Sequence, residues 1–170
     1  ITLQLTFIAL LVAVFFAIIF GVLAAIFRNT WVDQVIRVFS IIAISTPSFW
    51  LGVLMIYVFQ IRLGWLLGAG DLVPFFVDPL AYLNRMAMPA VSLGLPVAGQ
   101  LTRVIRTSMV EELDKDYVRT AIGAGIEKGI VVARNVLRNA LITPITVLGM
   151  KIGYLMGGAI VTEVIFTLPG

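Results

Sequence analysis

The sequence contains no cysteine and no histidine, and only 12% of its 170 residues are charged. The absence of cysteine excludes disulfide bonds and thiolate metal sites. The absence of histidine removes the commonest metal ligand and the usual general base. The sequence also lacks the Gly-x-x-x-x-Gly-Lys-[Ser/Thr] loop that holds nucleotide phosphates. We therefore expect this chain to bind neither ATP nor a metal or other cofactor, and not to be an enzyme by itself.

Apolar residues dominate what is present. They make up 61% of the chain, and the mean hydropathy is +1.08, whereas soluble domains carry roughly 45–50% apolar residues. A soluble fold of this size could not bury so much apolar surface, but a bilayer accommodates it. Backbone polar groups must be paired inside lipid, so the spanning segments should be helices. The composition predicts an all-α integral membrane protein in which residues 1–170 form a single transmembrane domain.

Four runs with almost no charge are long enough to be membrane spans, namely residues 5–27, 38–59, 86–102 and 139–162. The first would form about 35 Å of helix, enough to cross a hydrocarbon core of roughly 30 Å. The second is interrupted by Pro47, and the fourth contains Lys151. The chain begins within an apolar run, without a Met or a charged leader, so we expect it to be the interior of a longer protein.

The basic residues are distributed unequally between the two sides of these spans. One side carries nine of the twelve, the other carries only Arg62 and Arg85, and Lys151 lies within a span. Under the positive-inside rule the nine-residue side is cytoplasmic. Residues 103–138 are then a cytoplasmic segment and residues 62–85 an external loop. Because topology explains the net charge of +3, no nucleic-acid partner is expected.

The cytoplasmic segment contains a pattern typical of two short helices. Tyr117, Val118, Ala121 and Ile122 recur at helical spacing and form an apolar stripe. Gly125 is one of several glycines that favour a turn after this stripe. The pattern admits two interpretations: a solvated amphipathic connector, or a docking element whose apolar stripe enters a groove of a partner.

The same segment carries a recognisable motif. Asp116-Tyr-Val-Arg-Thr-Ala-x-x-x-Gly125, followed by Leu137-Arg-Asn-Ala-Leu, resembles the cytoplasmic signature of binding-protein-dependent ABC importer permeases. Two further stretches are similar to the dipeptide/oligopeptide first-permease branch, which also includes nickel and glutathione permeases: Ser45-Thr-Pro-Ser-Phe-Trp-Leu-Gly52 and Arg62-Leu-Gly-Trp65. The sequence departs from the family at Thr143, where proline is usual, and at Lys151, where a neutral polar residue is common.

The resemblance implies the polytopic helical bundle of the ABC type I importer permease fold, with about four spans in this segment and short cytoplasmic coupling helices. It implies ATP-driven import of di- or oligopeptides, or a related small solute, across a bacterial or archaeal cytoplasmic (inner) membrane. The implied partners are two ATP-binding subunits that carry ATP and Mg²⁺, a second homologous permease, and an external or periplasmic solute-binding protein. The implied ATPase-coupling loop comprises Asp116, Tyr117, Arg119, Thr120, Ala121, Gly125 and Glu127.

Two other classes compete with this interpretation. A secondary transporter or channel not driven by ATP would place several charges within its spans, whereas here Lys151 alone lies deep. An intramembrane enzyme would need a nucleophile with a base, or metal ligands, whereas the only candidate membrane carboxylate is Glu163, near the outer end of the last span.

The last span carries two further signals. Gly149, Gly153 and Gly157 form a ridge of small residues at i, i+4 and i+8, which suits close packing within the chain or against a second permease. Lys151 at mid-span would cost roughly 2.5–3.5 kcal/mol in lipid, so it should face a water-lined pathway or pair with an unseen carboxylate.

The polar residues around Pro47 satisfy backbone groups at a kink or, alternatively, form a hinge or part of the solute pathway. The pathway candidates are Lys151, Tyr154, Thr162, Ser45 and Ser48.

Overall fold

The protein is a helical bundle in the computed structural model, which describes residues 1–65, 70 and 73–168. The longest elements are α1 (Thr2–Ile26), α2 (Trp31–Ser45), α4 (Pro79–Leu113) and α8 (Ile142–Ile165). Helix α3 (Ser48–Met55) continues into π-helical turns over Ile56–Arg62. The short elements are α5 (Asp116–Gly123), α6 (Lys128–Val131), a π-helical turn (Val132–Val136) and α7 (Leu137–Ala140).

Helices α1 and α8 are long and apolar enough to cross a membrane, as predicted for the first and last runs. Helix α8 begins at Ile142 rather than at residue 139, because the helix breaks at Leu141. The break places Pro144 in the first turn of α8, where its missing N–H is not needed.

The second predicted span, 38–59, is wrong as a single helix. Helices α2 and α3 meet at an angle of 100°. Thr46 and Pro47 at the break both have extended backbones. A residue that precedes proline is disfavoured in the helical region, so the interruption seen in the sequence becomes a corner rather than a mild kink.

Helix α4 is far longer than the predicted third span, 86–102, because it runs for 35 residues. Asp78 caps its start by accepting hydrogen bonds from the backbone N–H groups of Leu80 and Ala81, each at 3.0 Å. The helix takes residues 79–85 from the predicted external loop and 103–113 from the predicted cytoplasmic segment. It packs against α1, α2, α3 and α8, so many of its polar residues do not face lipid. Because a hydropathy average counts those polar residues as unfavourable for a span, it predicts too short a helix.

Glycines allow α1 and α4 to touch along their backbones. A Cβ placed on Gly94 would lie 2.6 Å from the carbonyl oxygen of Ala9, and one on Gly21 would lie 2.7 Å from the Ile105 side chain. The contacts advance in the same sense along both helices, so α1 and α4 run parallel.

The other long elements run in the opposite direction to α4. Asp33 at the start of α2 pairs with Arg106, whereas Gly52 in α3 lies beside Ser92. From α2 through α3 the chain therefore advances along α4 in the antiparallel direction, although it bends by 100° between these two helices. Glu163 near the end of α8 accepts a hydrogen bond from Thr2, so α8 is antiparallel to α1. These directions match the alternation that the charge pattern predicts.

We call the end of the bundle that contains Arg28, Arg106 and Lys115 the basic end. Arg28 at the end of α1 pairs with Asp114 at the end of α4. At the opposite end, Arg85 donates hydrogen bonds to the carbonyl oxygens of Phe166 and Thr167.

Candidate functional site

The segment after α4 folds into a helical hairpin at the basic end, formed by α5, the turn around Gly125, and α6. Gly125 has a φ of +87°, a conformation that side-chain-bearing residues rarely adopt. The N–H groups of Gly125 and Ile126 donate to the carbonyl oxygens of Ile122 and Ala121 at 3.0 and 3.1 Å. These bonds reverse the chain, so the predicted helix–turn–helix is present, with Gly125 at its turn.

The predicted apolar stripe of α5 does not face a partner as a whole. Val118 is buried, and Tyr117 and Ala121 pack against the bundle core. Of the stripe, only Ile122 is exposed. Most of the stripe therefore attaches the hairpin to its own bundle and is not free as a whole to enter a groove of a partner.

Three isoleucines of the hairpin are exposed. Ile122, Ile126 and Ile130 are each 41–51% exposed and recur every fourth residue. We call these three residues the isoleucine tip. The polar members of the predicted coupling loop are exposed around it: Asp116, Arg119, Thr120 and Glu127. Ile126 and Ile130 were missed in the sequence because the turn at Gly125 interrupts their helical periodicity.

Tyr117 braces the hairpin against two other elements. Its hydroxyl donates a 2.9 Å hydrogen bond to Glu112 near the end of α4 and accepts a 3.5 Å bond from the side-chain amide of Asn139 in α7. Lys115 forms an ion pair with the same Glu112. Burial raises the pKa of Tyr117, and its hydrogen bond to Glu112 raises it further. The phenol therefore stays protonated, and its hydrogen bonds link α5 to both α4 and α7.

A cavity of about 730 Å³ lies between the hairpin and the ends of α1 and α4. Arg28 and Asp114 line this cavity and form an ion pair with an N–O distance of 2.8 Å. The hydrogen bond from Arg28 lowers the pKa of Asp114, so the pair is ionised at neutral pH.

The structure brings two of the pathway candidates together. The Lys151 ammonium lies 5.4 Å from the ring centroid of Tyr154, a cation–π contact. No carboxylate pairs with Lys151 in the part of the chain that the structure describes. Tyr154 is exposed, whereas Thr162 is buried and its hydroxyl donates to the Gly158 carbonyl of its own helix. Thr162 therefore does not share the exposed face of Lys151 and Tyr154.

The other two candidates, Ser45 and Ser48, flank the corner between α2 and α3. Ser45 is exposed and Ser48 is half-buried. The neighbouring Thr46 hydroxyl donates a 2.7 Å hydrogen bond to the Ile42 carbonyl, which agrees with the interpretation that polar residues here satisfy backbone groups. Among the described residues, no group of His, Cys, Asp and Glu side chains is arranged to hold a metal.

The glycine ridge on α8 packs against no other element in the described part of the chain. A Cβ placed on Gly149, Gly153 or Gly157 would meet no described atom within 4 Å. Met150 and Ile160 on the same helix are also exposed. The first of the two interpretations of the ridge, packing within this chain, is therefore wrong for the described residues.

Comparison with known proteins agrees with the motif. A family model described as "Binding-protein-dependent transport system inner membrane component" matches residues 17–170. A Brucella suis protein named for a peptide transport system permease is 39% identical over 170 residues, which cover 100% of this chain and 54% of that protein. A glutathione transport system permease protein of Escherichia coli K12 is 38% identical over 169 residues, 99% of this chain and 52% of that protein. An E. coli protein named for D,D-dipeptide transport is 38% identical over 190 residues, 99% of this chain and 56% of that protein. The chain spans about half the length of these relatives.

Proposed function

The chain belongs to the family of binding-protein-dependent transport system inner membrane components, and on this premise we propose that it is part of the permease subunit of an ATP-driven importer. The solute is a di- or oligopeptide or a related small molecule. The names of the relatives, which refer to peptides, D,D-dipeptides and glutathione, support this solute class.

The proposed importer contains three further kinds of subunit. Two ATP-binding subunits carry ATP and Mg²⁺, a second homologous permease completes the membrane domain, and an external solute-binding protein delivers the solute. The location is the cytoplasmic membrane of a bacterium or archaeon. The basic end faces the cytoplasm, because the positive-inside rule assigns the side with most Lys and Arg to that compartment.

The hairpin at the basic end is the observation that carries the proposal. It lies beyond the spans, it exposes the isoleucine tip, and Tyr117 ties it to α4 and α7. An apolar surface on a short helix suits a hydrophobic groove of a partner. A rigid connection from that surface to α4 can transmit movement of an ATPase subunit to a helix that contacts α1, α2, α3 and α8.

Reconstituted uptake tests the function. The complete importer, placed in proteoliposomes with the solute-binding protein outside and ATP inside, is expected to accumulate a labelled peptide. Accumulation should require ATP and the binding protein and should be abolished by vanadate.

The same preparation separates the alternative. Uptake driven by a sodium or proton gradient without ATP would identify a secondary transporter and overturn the proposal. Vesicles that lack the ATP-binding subunits serve as the control, and they should take up no peptide under either condition.

A further inference from the structure

One face of α4 is buried against other helices in the first half of the helix and borders cavities in the second half. In the half near the opposite end, Ser92 lies on this face, is fully buried, and has Gly52 of α3 beside it. In the half near the basic end, the face continues as Gln100, Arg103, Thr107 and Glu111. Their spacing of three, four and four residues keeps them on one side of the helix. All four border open cavities.

These cavities lie on the two sides of the same polar stripe. One, of about 460 Å³, reaches Thr143 at the start of α8. The other, of about 280 Å³, lies against α2 and is lined by Arg37, Ile41, Arg103, Arg106 and Thr107. Together they form a groove between α2 and α8 with α4 as its floor, and we call it the α4 groove.

The depth of this groove argues against contact with lipid. Ile105, which lies between Arg103 and Arg106 in α4, packs against Gly21 of α1. Helix α1 remains uncharged to Phe27, six residues or about 9 Å further along its axis. Arginine at this depth should face water or a buried partner, because exposing its charge to hydrocarbon is costly.

The groove carries an excess of positive charge, because three arginines line it, whereas the described carboxylates are Glu111 on its lining and Asp33 paired with Arg106. Arg106 is held by Asp33 through two hydrogen bonds of 2.6 Å. Arg37 and Arg103 border the same cavity and are exposed, and no described carboxylate lies within ion-pairing distance of either one. Two guanidinium groups beside the Thr107 hydroxyl supply the donors that a carboxylate prefers.

We propose that the α4 groove is the inner part of the solute pathway and that Arg37 and Arg103 bind the carboxylate of the solute as it passes. This inference rests on the proposed function for the identity of the solute, but not for the presence of the groove. Helix α3 closes the same face above Ser92, so the groove opens only towards the basic end.

Cysteine labelling tests the groove without any transport. These 170 residues contain no cysteine, so in an importer whose other cysteines are replaced, Gln100→Cys, Thr107→Cys and Ser92→Cys each introduce a single thiol. In inside-out membrane vesicles, a charged, membrane-impermeant maleimide is expected to label the first two and to leave Ser92→Cys unlabelled. If Gln100→Cys stays unlabelled while Thr107→Cys reacts, the groove does not extend into the membrane and the inference is wrong.

Peptide chemistry tests the arginines in the complete importer. Arg103→Gln is expected to slow ATP-dependent uptake of labelled trialanine about tenfold, the size of a lost charge-assisted hydrogen bond. Uptake of trialanine amide, which has no terminal carboxylate, should be unchanged. Arg62→Gln is a matched control at the far end of α3, and it should affect neither peptide.

The outcomes separate the two proposals. If the unmodified importer takes up neither peptide with ATP, the proposed function fails, and the labelling result still decides the groove. If the importer works and Arg103→Gln transports both peptides normally, or loses both equally, the carboxylate site is wrong and the proposed function stands.

Discussion

Arg106 donates two hydrogen bonds, each 2.6 Å long, to the two carboxylate oxygens of Asp33. The Asp33 side chain is only 1% exposed and also accepts a 3.1 Å bond from the backbone N–H of Asn29. Asn29 has a φ of +64°, so the carboxylate also stabilises the tight turn between α1 and α2. The pair therefore fixes the start of α2 against α4 at the level where the α4 groove opens.

Asp33→Asn should destabilise the bundle by about 2 kcal/mol, because Arg106 would keep its charge without a carboxylate partner. A lower midpoint of thermal unfolding in detergent measures this effect. Asp114→Asn is the matched control, since the Arg28–Asp114 pair is exposed and surface pairs contribute little. Equal midpoints for both variants would show that the Asp33 pair has no special structural role.

Glycines in α4 and α8 should respond differently to the same substitution. Gly94→Ala places a Cβ 2.6 Å from the Ala9 carbonyl oxygen and should cost about 1–3 kcal/mol, as overpacking does. Gly153→Ala meets no atom of the described residues within 4 Å and should leave stability unchanged or raise it by up to about 1 kcal/mol through helix propensity. Thermal unfolding of the isolated chain checks both.

The glycine ridge itself is tested with a larger residue. Gly153→Leu should leave the thermal midpoint of the isolated chain unchanged but reduce co-purification of a second permease, if the ridge is their contact. A loss of stability as large as that of Gly94→Ala would instead show that α8 packs on its own chain along this ridge.

Apolar runs and the asymmetry of basic residues were sufficient to predict α1, α8 and the alternating directions of the helices. They were insufficient for α4, because Arg103 and Arg106 follow its apolar part and read as the start of a loop. Inside the bundle these arginines face a groove and Asp33, which a hydropathy average cannot register. The sequence also left the geometry at Thr46–Pro47 undecided, since three polar residues around a proline suit a kink or a hinge.

The candidate site could also be predicted only in part from the sequence. Local sequence predicted the hairpin, because Gly125 and the helical spacing of α5 act over a few residues. The burial of one face of α5 depends partly on Asn139, which is 22 residues from Tyr117 in sequence but donates a hydrogen bond to its hydroxyl. The predicted stripe therefore turned inward, and the exposed surface proved to be the isoleucine tip.

Gly125→Val should uncouple transport while leaving the protein inserted in the membrane. A β-branched residue at a φ of +87° is strained, so the turn between α5 and α6 must rearrange and move the tip. The measurements are peptide uptake and solute-stimulated ATP hydrolysis by the assembled importer. Gly125→Asn is the control, because asparagine tolerates positive φ. Normal uptake by the valine variant would contradict a coupling role for the turn.

Ile126→Asp should weaken attachment of the ATP-binding subunits. Its side chain is 46% exposed and contributes to the isoleucine tip, so a charge there opposes burial in an apolar groove. Co-purification of the ATP-binding subunits with the permease measures the effect. Val77→Asp is the matched control, since Val77 is 74% exposed and precedes α4 at the opposite end. Equal retention of the ATP-binding subunits by both variants would exclude the tip as the docking surface.

Lys151→Gln should change uptake without changing assembly. The ammonium lies against the exposed Tyr154 ring and has no carboxylate partner among the described residues, so its removal leaves no buried charge unpaired. If Lys151 faces the solute pathway, the variant should alter the relative uptake rates of acidic, neutral and basic tripeptides, with the acidic one reduced most because it loses a favourable charge. Lys151→Arg keeps the charge and should preserve the order of preference. Unchanged rates for all three tripeptides would remove Lys151 from the pathway, leaving its cation–π contact with Tyr154 as a structural feature of α8.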